Sequence, residues 1–146
     1  LFDFAMAFII FICICIYYKQ PVHWSAAYYF PAGIFLILLS AFGLGTLLSA
    51  LNIKYRDFRY LIPFLLQVLF FASQVIYPLQ VIKNTLLKNI LSVNPVNGAI
   101  ELFRAALTGA APDMTVIAIS TAASCILCLA GIYYFRKTES HFADIA

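Results

Sequence analysis

The stretch Leu51–Gln67, LNIKYRDFRYLIPFLLQ, decides how the rest of the chain is read. Lys54, Arg56, Asp57 and Arg59 fall within eight residues, and uncharged apolar runs flank them on both sides. A charged knot between two greasy runs is the pattern of a short loop joining two membrane-spanning helices. On a helix, Leu51, Tyr55, Phe58 and Ile62 form one apolar stripe, while Asn52, Arg56 and Arg59 fall on another face. Lys54 and Asp57 stand three apart and are spaced to pair. Two readings follow: a topology anchor that touches anionic lipid, or a docking surface for a cytoplasmic partner.

Composition supports the membrane setting. Of 146 residues, 64% are hydrophobic and 10% charged, against about 25% charged in a soluble domain. Such a chain cannot cover a water-facing surface. The net charge of +3 is modest, and the cations form no stripe that would suit nucleic acid.

A spanning helix needs about 20 apolar residues to cross about 30 Å of hydrocarbon. Four runs qualify as candidate spans, at residues 1–18, 28–51, 61–78 and 115–135. The first is short and starts almost at residue 1, and the chain opens on Leu. The expectation is the C-terminal part of a longer protein, cut inside a helix. It is not a signal peptide, since a basic start and a cleavage site are absent. In lipid, backbone groups must be satisfied internally, so the runs are expected to be helices. The expected fold is all-α, one polytopic transmembrane domain over residues 1–146.

Orientation follows from the cations. Short loops rich in Lys and Arg stay in the cytoplasm. The Lys54–Arg59 knot and the Arg136–Lys137 pair lie on the same side if the spans alternate. Lys19, His23, Lys83, Lys88 and Arg104 then face outward. Tyr17, Tyr18, Trp24, Tyr28 and Tyr29 form the outer aromatic belt, and Tyr133 and Tyr134 the inner one.

Residues 79–109 are too long for a turn and too apolar for a solvated loop. Ile82, Leu86, Ile90 and Val93 make a helical stripe, with Asn84, Lys88 and Ser92 opposite. In "NPVNG", Asn94 can cap a second helix with Pro95 at its first position. There Val96, Ile100, Phe103 and Leu107 line one face, and Asn97, Glu101, Arg104 and Thr108 the other. Gly109 and Pro112 stop it. Neither helix is long enough to span, so a re-entrant or interfacial hairpin on the outer side is expected. Glu101 and Arg104, three apart, are spaced to offset each other's burial cost. Their pair either pins the hairpin or forms a polar patch at the mouth of a pathway.

Other signals carry less. Cys13, Cys15, Cys125 and Cys128 lie inside apolar runs without a nearby His, so no metal site is expected. Gly43-Leu44-Gly45 is no dinucleotide loop. Ala41, Gly45 and Ser49, and likewise Ser120, Ser124 and Cys128, have the small-xxx-small spacing of helix-contact faces. No phosphate-binding Walker sequence occurs, so no ATP hydrolysis is expected in this chain.

Taken together, "LNIKYRDFRYLIPFLLQ", "VIYP" and "NPVNGAIELFRAALTG" resemble the membrane subunit of ABC-2 type exporters. So do "LFDFAMAF" at the start and "YFRKTESHFADI" at the end. The nearest branch is the permeases that export polysaccharide, such as O-antigen and teichoic acid. The resemblance covers nearly the whole chain in order. One departure is Gln74, where the family pattern carries proline before "VIYP".

The resemblance implies six spans, of which this chain would hold three to six. It implies a homodimer in the bacterial inner (plasma) membrane, bound to a separate ATP-binding cassette ATPase subunit. Membrane lipid would surround it, and a lipid-linked glycan would pass between the two copies. No cofactor is implied in this chain, because the partner binds ATP. Lys54, Tyr55, Arg56, Asp57 and Arg59 would face that ATPase. Residues 79–109, with Asn94, Pro95, Glu101 and Arg104, would correspond to the outer gate. Two alternatives stay open: an ABC-2 exporter of a drug or small glycolipid, and a polytopic membrane transferase. Six scattered acidic residues argue against the second.

Overall fold

The computed structural model describes residues 2–18, 24–55, 57–75 and 84–143, apart from the side chains of Phe4 and of residues 139–143. Six helices are described: α1 Phe2–Tyr17, α2 Ala26–Lys54, α3 Phe58–Phe71, α4 Thr85–Ser92, α5 Asn97–Thr108 and α6 Met114–Ala143. No strand occurs among the described residues. The fold is all-helical.

Two helices, Ala26–Lys54 and Met114–Thr138, are long and apolar enough to cross a bilayer by length and composition. Both exceed the runs read from sequence at 28–51 and 115–135. The helices corresponding to 1–18 and 61–78 are apolar but shorter. The 14 residues of α3 start earlier than expected, at Phe58, and stop at Phe71, which gives a length of about 21 Å.

The buried apolar cluster, Leu36, Ala99 and Leu102, joins α2 to α5, and the close contact between α2 and α6 is built on small residues. A Cβ on Gly43 would come within 2.8 Å of the Cys128 backbone nitrogen, and one on Gly131 within 2.9 Å of the Gly43 carbonyl oxygen. The helices run parallel. Ser40 meets Ser124, Gly43 meets Cys128, and Lys54 reaches Tyr134. Lipid offers no hydrophobic drive to pair helices, so close backbone approach carries the association.

The small-residue faces come out differently. Ser120 and Ser124 are fully buried, and Cys128 meets Gly43. The stripe read on α2, Ala41–Gly45–Ser49, is exposed, and a Cβ on Gly45 would meet nothing within 4 Å. The face used is Gly33, Leu36, Ser40, Gly43 and Ala50.

The helices α4 and α5 form a hairpin packed against α2 and α6. As α5 runs backward from Phe103 to Pro95 it descends α2, from Gly33 to Leu36 to Ser40. On α4, Leu86 and Ile90 are exposed and Ser92 is buried. On α5, Asn97 and Glu101 are buried beside Ala99, Leu102, Ala105 and Ala106. Phe8, Phe11, Phe30 and Phe103 join α1 to α2 and α5, with ring centres 5.7–6.1 Å apart.

Candidate functional site

The turn of the hairpin is where polar chemistry concentrates. Local sequence builds it. Asn94 Oδ1 accepts from the Val96 N–H at 3.2 Å, and the Asn97 N–H donates to the Asn94 carbonyl. Asn94 therefore caps the turn that leads into the helix, as the sequence indicates, but α5 proper starts at Asn97 rather than Pro95. At the far end Gly109 adopts φ 68°, and its N–H donates to the Ala105 carbonyl. That left-handed position suits glycine. Asn84 caps α4, accepting from the Leu86 N–H at 3.0 Å, instead of lying on a polar face.

The turn lies deep. Ser40 is the middle residue of the 29-residue α2, about 21 Å from either end. Its Oγ is 3.0 Å from the Pro95 carbonyl oxygen, 2.9 Å from Ser124 Oγ and 2.7 Å from the Leu36 carbonyl oxygen. Ser120 Oγ lies 2.8 Å from the Ser92 carbonyl oxygen and 3.1 Å from that of Asn94. Ser124 Oγ lies 2.8 Å from the Ser120 carbonyl oxygen and 3.4 Å from that of Pro95. Three hydroxyls thus serve the carbonyls that the turn frees. Buried irregular backbone needs its polar groups satisfied, and here protein hydroxyls do so. Gly98 lets α5 approach, since a Cβ there would come within 2.8 Å of Ser120 Cβ.

The other side of the turn meets the chain just after α3. The Gln74 N–H donates to Asn97 Oδ1 at 2.9 Å, and Gln74 Nε2 donates to the Asn97 carbonyl at 2.5 Å. Asn97 Nδ2 reaches the carbonyls of Leu91 and Ala72, at 2.8 and 3.3 Å. Asn94 Nδ2 donates to the Leu69 carbonyl at 2.9 Å. Gln74, the departure from the family pattern, supplies an N–H that proline lacks.

Glu101 and Arg104 do not form the pair that their spacing suggested. Glu101 Oε1 accepts from the Asp113 N–H at 3.3 Å. Arg104 Nη2 donates to the Gln74 carbonyl at 2.9 Å. The ion pair found links Lys88 on the hairpin to Asp113 at the start of α6. All four gate candidates, Asn94, Pro95, Glu101 and Arg104, belong to this hairpin.

The charged knot lies at the opposite end. The single helix drawn through Leu51–Ile62 is broken: Tyr55 caps α2 with extended backbone, φ −128° and ψ 103°. Asp57 then occupies the cap position of α3 and is exposed. Arg59 is exposed on the first turn of α3, and Arg56 lies outside the described residues. Lys54 Nζ lies over the rings of Tyr55 and Tyr134, 5.3 and 5.6 Å from their centres. The knot and the end of α6 therefore share one end of the molecule. Among the described residues no group of three His, Cys, Asp or Glu could hold a metal ion.

Sequence reasoning missed Ser40 and gave Gln74 no partner. No spacing rule pairs Ser40 with Pro95, 55 residues away.

Residues 1–108, three quarters of the chain, match the ABC-2 type transporter family. The chain belongs to this family. It is also similar to the O-antigen export system permease protein RfbA of Myxococcus xanthus, with 27% identity over 117 residues. That alignment covers 79% of this chain and 45% of the relative, so the chain spans less than half the relative's length. No solved structure matches the chain. As an ABC-2 family member it is an integral membrane protein, and its long α2 and α6 are suited to that solvent.

Proposed function

We propose that this chain is part of the permease subunit of an ABC exporter that moves a lipid-linked polysaccharide across the bacterial inner membrane. A separate ATP-binding cassette subunit hydrolyses ATP, and two permease copies enclose the path. Family membership carries the transport reading, and the named relative, an O-antigen export permease, points to the cargo.

In this reading α1, α2, α3 and α6 cross the membrane. The α4–α5 hairpin dips in from outside as a gate held by Asn94, Pro95, Glu101 and Arg104. The buried, carbonyl-satisfied turn at mid-length of α2 supports that reading. Lys54, Tyr55, Arg56, Asp57 and Arg59 face the cytoplasmic ATPase. The exposure of Asp57 and Arg59 is consistent with a docking role.

Two measurements test it. Affinity purification of the full-length permease should bring down an ATP-binding cassette subunit. Cells lacking the permease should lose their surface polysaccharide and accumulate its lipid-linked precursor. Co-purification with intact surface glycan would instead favour a drug or small glycolipid as cargo. Absence of any ATPase partner would reject the exporter reading.

A further inference from the structure

Helix α3 has no buried residue, a feature it shares only with the described residues of α1. Tyr60, Phe64, Leu66, Val68 and Phe70 are all about half exposed or more. Within this chain its body is barely packed, so it is held by its two ends. At the start, it follows α2 closely, with Tyr55 capping α2 and Asp57 at the cap position of α3. At the other end, five hydrogen bonds cross from residues 69–74 to the hairpin. Gln74 and Asn97 exchange two of them. Asn94 and Asn97 reach the Leu69 and Ala72 carbonyls, and Arg104 reaches the Gln74 carbonyl. Gln74 and Asn97 are both fully buried.

On the opposite side the turn rests on hydroxyls of α2 and α6, whose backbones are in close contact through Gly43 and Gly131. The hairpin thus lies between a tightly packed pair and a loosely packed strut. Each hydroxyl there has more than one carbonyl within reach and only one proton to give. A small displacement re-pairs those bonds without leaving a carbonyl stranded. The Gln74–Asn97 contact is different, because two amides bond in one mutual geometry, and sliding loses both bonds at once.

Resting on the exporter reading above, we infer that Gln74 and Asn97 latch α3 to the hairpin turn, so that the two move as one unit against α2 and α6. A push on the Tyr55–Asp57 bend is then delivered along α3 to the turn about 21 Å away. Gln74 is a positioning residue for the gate, acting through Asn97.

The test uses the full-length permease with its ATPase subunit in proteoliposomes, with native cysteines replaced and nitroxide labels at exposed positions. One pair joins Leu66→Cys on α3 to Val93→Cys on the hairpin; the other joins Leu38→Cys on α2 to Val93→Cys. Distances are compared without nucleotide and after vanadate trapping. The latch predicts that the 38–93 distance changes and the 66–93 distance does not. If both change together, the latch is overturned while the exporter reading stands. If neither changes although ATP is hydrolysed, both are overturned. In Gln74→Met, which keeps length and the main-chain N–H but loses the side-chain amide, export per ATP hydrolysed should fall about tenfold, the size set by one buried hydrogen bond. An unchanged ratio overturns the latch.

Discussion

Lys54 Nζ lies 5.6 Å from the centre of the Tyr134 ring, at the matching ends of two parallel helices. Lys54 closes α2 and Tyr134 belongs to the last third of α6, so the charged bend and the Arg136–Lys137 pair lie at one end. A cation over an aromatic face is a weak attraction at an exposed site. Lys54→Arg should keep coupled export near the wild-type level, because guanidinium also stacks on rings. Lys54→Ala should lower it several-fold with unchanged protein level in the membrane. Parallel assays of export and membrane abundance check this.

The packing of α2 against α6 predicts a contrast between two glycines two residues apart, Gly43 and Gly45. Gly43→Val should separate the helices, since its Cβ would meet Cys128 backbone that cannot rotate away. The cost should be about 1–3 kcal/mol, as for overpacking in a tight core. Gly45→Ala should be nearly silent, because nothing lies within 4 Å. Thermal unfolding of the purified permease in detergent gives both values.

The serine seat predicts graded effects. Ser120 serves two carbonyls of the turn, so Ser120→Ala should leave one of them bare. Hydrogen bonds between membrane helices are worth about 0.6 kcal/mol on average, with about 1.7 as the upper value. Ser120→Ala should therefore destabilise by about 1 kcal/mol. Thr121→Ala should cost less, since its hydroxyl bonds only its own helix, at the Ile117 carbonyl. Stability measured on both variants decides.

How much of this was legible before the coordinates depended on range. The cap at Asn94 and the stop at Gly109 were readable because each acts within four residues. Which face of α2 is used was not. Small residues occur on more than one face, and only the position of α6 selects Gly43 over Gly45. The spacing separates two faces on each hairpin helix, but which one is buried depends on α2 and α6: Asn97 and Glu101 are buried beside Ala99 and Leu102. Gln74 was visible as a departure from the family pattern, yet its partner Asn97 is 23 residues away. The continuous helix through Tyr55 failed because periodicity alone does not report a short break, here between Lys54 and Phe58.

The hairpin is also tied to α6 by the Lys88–Asp113 pair, which gives a pH prediction. The hydrogen bond from Lys88 holds the Asp113 carboxyl below its ordinary value of 3.8. A depressed folded-state value contributes stability that is present above the ordinary value and lost as pH falls through the folded one. Stability from this pair should therefore stay flat from pH 7 to about pH 4 and decline below it. The pair is partly exposed, so the change should be under about 1 kcal/mol. Asp113→Asn should lack this decline and be slightly less stable at pH 7, as read by thermal unfolding across the pH series.

In the proposed orientation Asp57 faces the cytoplasm and the α4–α5 hairpin enters from the opposite side. Single cysteines at Asp57 and at Ala110, both exposed positions, report it directly in intact cells of a strain whose permease lacks its native cysteines. A membrane-impermeant maleimide should label Ala110→Cys at once and Asp57→Cys only after the cells are permeabilised. Labelling of Asp57→Cys in sealed cells would contradict the account.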